Sequence, residues 1–210
     1  MEKQIEVEHI GKIDEKKFNE LKELFGNEGE FLKRKERISF MYFRDSIPKD
    51  ITEIKKEETD LRLKITNKKP ELIVKKGLFT GTHSRKEVSI LFSMEELSKY
   101  IDFLSALDWN IGVIYAAETF VYNYKGIEFS LVHIINYGYN FEAEILTSKE
   151  DVEEATTKIK KILNELNLTP FNDEELNNQC NEINNRVDLR FDFSKENIGD
   201  YKKKFPDFFD

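Results

Sequence analysis

The chain has 210 residues, one cysteine and a net charge of −8, so it can bury its own core and cannot staple it with an internal disulfide or a thiolate zinc cluster. The acidic balance argues against a nucleic-acid partner, because such affinity comes largely from neutralised phosphates. It leaves room for Lys and Arg gathered in one groove. The N-terminal Met1-Glu2-Lys3-Gln4 has no apolar stretch of the signal-peptide kind. No apolar run approaches the ~18 residues of a membrane span, so a cytoplasmic protein without a membrane partner is expected.

Taken in order, alternating apolar and polar residues predict a first strand over residues 4–11. Phe18, Leu21, Leu24 and Phe25 then recur at helical spacing from Asp14, with Gly26-Asn27 as a stop. A strand is expected over 30–44, then a solvated, Lys- and Glu-rich loop or short helix over 46–58. Strands follow over 59–66, 71–76 and 85–92, with a turn over 67–70. Ser93-Met94-Glu95-Glu96 reads as a capping box opening a helix over 93–107. Strands over 112–124, 127–135 and 139–146 are joined by short turns, which favour antiparallel hairpins. A third helix over 148–168 ends at Pro170. Eight strands and three helices predict an α+β protein with helices outside one large sheet or barrel, over residues 1–168. Residues 169–210 are acidic and Asn-rich, and read as a helical extension or a partly disordered tail.

Successive side chains on a strand point to opposite faces. Glu6 and Glu8 therefore share a face opposite Ile5 and Val7, and Glu142 and Glu144 one opposite Phe141, Ala143 and Ile145. Arg62 and Lys64 oppose Leu61, Leu63 and Ile65, while Arg85, Glu87 and Ser89 oppose Val88 and Ile90. For any one strand, charges meeting water explain such a face. With the apolar faces under helices, the charged faces must meet each other or line a cavity. Two like charges ~5 Å apart at an effective dielectric of ~20 repel by about 3 kcal/mol. A hard divalent cation offsets that repulsion on the acids, and a polyphosphate suits the bases.

Four blocks resemble the CYTH superfamily of triphosphate tunnel metalloenzymes. They are Glu6-Val7-Glu8-His9-Ile10, Asp60-Leu61-Arg62-Leu63-Lys64 with Lys75-Lys76-Gly77, Ser84-Arg85-Lys86-Glu87, and Tyr137-Gly138 leading to Glu142-Ala143-Glu144. The resemblance covers about residues 4–146 and implies an eight-stranded antiparallel β-barrel, with Mg²⁺ or Mn²⁺ as cofactor. It implies metal-side carboxylates at Glu6, Glu8, Glu142 and Glu144. Phosphate ligands would be Arg62, Lys64, Lys76 and Arg85, with Lys12 and Arg37 as further bases. Lys76 and Glu87 would be catalytic: Lys76, or a glutamate, positions the water and Glu87 orients a base. Lys75 is the alternative to Lys76, since adjacent residues cannot both point inward. The implied activity is hydrolysis of inorganic triphosphate, thiamine triphosphate or a nucleoside triphosphate. Adenylate cyclisation and polyphosphate binding without turnover are the alternatives, and homodimerisation is left open. Ile10 stands where the family has lysine, Glu118-Thr119 where it has bases, and Val132 where it has aspartate. Lys12 and Glu128 share the parity of Ile10 and Val132 and could replace what those lack.

Overall fold

Hairpins set the architecture. Asn67 and Lys68 (φ 47° and 64°) and Lys125 and Gly126 (φ 52° and 72°) adopt the left-handed backbone that a two-residue hairpin turn needs. The computed structural model describes residues 5–50, 59–76 and 86–209. It is α+β, with antiparallel strands in the order β1-β8-β7-β6-β2-β3-β4-β5 and a short β9 paired to β6. Among the described residues this order is an open path, so the expected closed barrel is met as an antiparallel sheet ending at β1 and β5. The chain gathers into two units, residues 1–35 with 117–175, and 36–116 with 176–210. The long strands β2 (Glu30–Phe43) and β6 (Ile111–Tyr124) contribute residues to both.

In the first unit, β1 (Ile5–Ile13) pairs with β8 (Gly138–Thr147), β8 with β7 (Ile127–Ile134), and β7 with residues 117–124 of β6. Helix α1 (Glu15–Glu28) is capped by the Asp14 carboxylate, which accepts from the Lys17 amide at 2.7 Å. It runs through Gly26, expected as a stop, and the Gly29 amide closes the last turn on the Phe25 carbonyl at 3.0 Å. Helix α3 spans Val152–Glu165. Phe18, Leu21 and Phe25 of α1 and Ile159, Ile162 and Leu163 of α3 form one core with Tyr122, Phe129, Leu131, Phe141 and Ala143. Each such burial stabilises by roughly 1.5–3 kcal/mol. Both helices thus cover one face of these strands. At Gly11 an added Cβ would lie 2.5 Å from the Thr169 carbonyl, where the chain returns and the Phe171 amide donates to the Ile10 carbonyl.

In the second unit, residues 36–43 of β2, β3 (Thr59–Thr66), β4 (Lys69–Lys76) and β5 (Lys86–Leu91) form a meander. The Ser93–Glu96 capping box is present and leads through a 3₁₀ turn into α2 (Leu97–Ser105). Residues 169–210, expected as an accessory helix pair or disordered tail, form α4 (Asp173–Asn185), β9 (Arg190–Asp192) and α5 (Ile198–Lys204). From Leu176 onward they belong to this unit and help build its core. Phe191 packs on Tyr42 and Phe40 with ring centroids 4.9 and 5.4 Å apart, and Tyr201 lies 5.5 Å from Phe40. Close approach here requires Gly112, whose added Cβ would sit 2.0 Å from the Met41 carbonyl and 2.5 Å from the Phe191 ring. Much of the 46–58 segment lies outside the described residues.

Candidate functional site

The face of the first unit opposite its helices carries the acids. Register places Glu8 beside Glu144, Glu144 beside Glu128, and both Ile10 and Ser130 beside Glu142. Glu6, Glu8, Glu128, Glu142 and Glu144 therefore project to one side. Ligand oxygens of Glu6, Glu8 and Glu144 all lie within 4.8 Å of one another. Loss of hydration, then the charges of Glu142 and Glu6, raises the Glu8 carboxyl from an ordinary 4.5 to about 7. Glu8 is exposed along much of its side chain, so the repulsion is the firmer of the two causes. Glu144 is likewise raised to about 7 by burial, then by Glu6 and Glu128, with a hydrogen bond to Glu6. At Glu8 and Glu144 the neighbouring carboxylates oppose ionisation.

A hard divalent cation fits that donor set: several carboxylate oxygens, close together, whose ionisation is opposed by mutual repulsion. Lys12 lies on the same face opposite Asn140, with its ammonium 5.1 Å from the Tyr137 ring centroid. Ile10, Thr119 and Val132 also fall on this face. Glu128 thus stands on the strand and face of Val132. His133 points to the other face and stacks on Tyr139 at 4.5 Å.

In the second unit the apolar face holds Ile38, Phe40, Leu61, Leu63 and Ile65, and the opposite face holds the bases. Register puts Arg62, Lys64 and Lys75 on one side of the sheet with Asp60, Glu71 and Glu87. Lys76 projects to the other side, with Leu72 and Val74. Arg62 grips Asp60 with two parallel bonds, Nε to Oδ1 at 2.7 Å and Nη2 to Oδ2 at 2.8 Å. Lys64 pairs with Glu71 at 3.2 Å, and Lys75 with Glu87 at 2.6 Å. The Arg37 Nε donates to the Thr66 hydroxyl at 3.1 Å. Burial, then the Arg37 charge, pulls the Lys64 ammonium down, against Glu71 and Glu87. The Lys75 hydrogen bond holds Glu87 below the usual carboxylate range, ahead of its partial burial. These pairs fix long side chains in place, which lowers the entropy lost when an anion binds. Arg85 and His83 lie outside the described residues.

Sequence reasoning did not find Asp60 or Glu71 as partners, nor Arg190 on β9. Burial pushes the Cys180 thiol up, against the Arg62 charge.

Solved structures resemble the chain over 80–85% of its length. A conserved hypothetical protein from Pyrococcus furiosus matches with TM-score 0.57 and 21% identity, covering 81% of this chain and 93% of its own. HpAC1 from Hippeastrum, named for adenylyl cyclase and described as having a dominant triphosphatase activity, matches with TM-score 0.54 and 14% identity over 85% and 96%. A protein from Vibrio parahaemolyticus named as an adenylate cyclase matches with TM-score 0.56 and 12% identity over 80% and 94%. The fold is the one these structures share. At these identities the likeness is one of fold alone. No protein-family model and no curated protein sequence matches the chain.

Proposed function

We propose that the protein is a metal-dependent hydrolase of a small triphosphate-containing molecule, in the cytoplasm. The observation that carries the reading is the close-set carboxylate cluster of Glu6, Glu8 and Glu144, in which the Glu8 and Glu144 carboxyls are raised. These residues, with Glu142, would hold Mg²⁺ or Mn²⁺. Bound there, such an ion supplies charge neutralisation and polarises a phosphoryl oxygen.

The protein's own bases do the remaining work. Arg62, Lys64 and Arg37 take phosphoryl oxygens and stabilise charge that develops as the anhydride bond breaks. Lys75 takes the role expected of Lys76, because it shares the Arg62 face and is steadied by Glu87. Hydrolysis is favoured over cyclisation by the fold likeness to HpAC1, described as having a dominant triphosphatase activity.

A second reading, binding without turnover, draws support from Ile10, Thr119 and Val132, which put apolar or neutral groups on the acidic face. Phosphate release from inorganic triphosphate, thiamine triphosphate and ATP, with Mg²⁺ or Mn²⁺, separates the readings. We expect release with at least one substrate, abolished in Glu6→Ala/Glu8→Ala. Calorimetric binding without release would leave the second reading, and cyclic AMP from ATP would replace both.

A further inference from the structure

The C-terminal segment supplies a cation that the sequence blocks do not contain. Phe191 of β9 packs on Phe40 and Tyr42, the apolar side of the second unit. Alternation along β9 therefore turns Arg190 to the opposite side, that of Arg62 and Lys64. There the acids already have partners: Asp60 holds Arg62, Glu71 holds Lys64 and Glu87 holds Lys75. The acid on its own strand, Asp192, is engaged by Lys195 at 2.6 Å and by the Ser194 amide at 3.0 Å.

Arg190 has no carboxylate partner among the described residues. One guanidinium nitrogen donates to the Asn184 carbonyl at 3.3 Å, and Nε is buried with no hydrogen-bond partner. Taking a charged guanidinium out of water without a counter-charge is costly.

An anion that reaches the guanidinium supplies the counter-charge it lacks among the described residues.

We propose that Arg190 is a phosphate-binding residue, its terminal guanidinium nitrogens donating to a phosphoryl oxygen. The proposal rests on the triphosphate reading above and extends its grip to a strand outside the four sequence blocks. Inorganic triphosphate with Mg²⁺ is titrated calorimetrically into the wild type, Arg190→Gln, Arg190→Ala and Arg62→Ala, with melting measured with and without ligand. Arg190→Gln keeps a donor for Asn184 and drops the charge. We expect its Kd to rise about tenfold, the loss of one charge-assisted bond, and the ligand-induced rise in Tm to shrink. A purely structural Arg190 would lower the ligand-free Tm and leave both ligand readouts unchanged. That result, with Arg62→Ala weakened, overturns the proposal and leaves the triphosphate reading standing. A wild type that binds no triphosphate removes both.

Discussion

Neutralising one carboxylate of the acidic cluster should stabilise the metal-free protein. The perturbation is Glu8→Gln. The Glu8 carboxyl is raised from 4.5 to about 7, by loss of hydration and by Glu142 and Glu6. A raised acid contributes stability that is fully present below about 4.5 and lost as pH rises through about 7. Full expression of that shift is ~3 kcal/mol. Solvent screening at this open position cuts it to about 1 kcal/mol. For a chain of this size, ~1 kcal/mol moves Tm by roughly 2–4 °C. Melting by circular dichroism in chelator should show Glu8→Gln above the wild type by about 3 °C at pH 8, an excess that fades toward zero by pH 5. Millimolar Mg²⁺ or Mn²⁺ at pH 8 should then reverse the order. A tenfold excess over Kd adds about 1.4 kcal/mol to whichever form binds the ion. An excess that stays constant from pH 5 to 8, or equal gains with metal in both proteins, would refute the reasoning.

The two neighbouring lysines should behave differently. Lys75→Ala should weaken triphosphate binding about tenfold, and Lys76→Ala by less than twofold, as read by calorimetry; equal losses would show that strand parity does not decide the role. Gly112→Ala should destabilise by more than ~3 kcal/mol, because its Cβ meets a backbone carbonyl and a buried ring that cannot both yield; a urea midpoint within error of wild type would contradict that packing.

Strand alternation made most of this sheet legible. Glu6, Glu8, Glu142 and Glu144 could be assigned a common face because Val7, Phe141, Ala143 and Ile145 beside them belong to a core. The choice between Lys75 and Lys76 needed the length of one turn. A two-residue turn at Asn67-Lys68 sets Thr66 opposite Lys69 and so Lys75 opposite Asp60. A turn drawn over residues 67–70 hides that register.

Helix α4 was hard to place because the side chains it buries include Gln179 and Asn184, polar groups that leave no apolar stripe. β9 did carry a signal, Phe191 and Phe193 flanking Asp192, but three residues are too few to stand out from a loop. Arg190 was invisible for the same reason: its role follows from what Phe191 packs against.

β1 has consequences for how the cluster comes into being. Its pairing runs along β8 alone among the described residues, with Ile5 facing Thr147. Glu6 and Glu8 precede Glu144 along the chain but meet it only after the β7–β8 hairpin exists. Closing so long a loop adds little to the equilibrium cost, since that cost grows only with the logarithm of length, but it is slow. Until then β1 carries an unpaired edge, and its two glutamates make that edge a poor template for aggregation. The charges that crowd the finished cluster thus protect the unfinished chain.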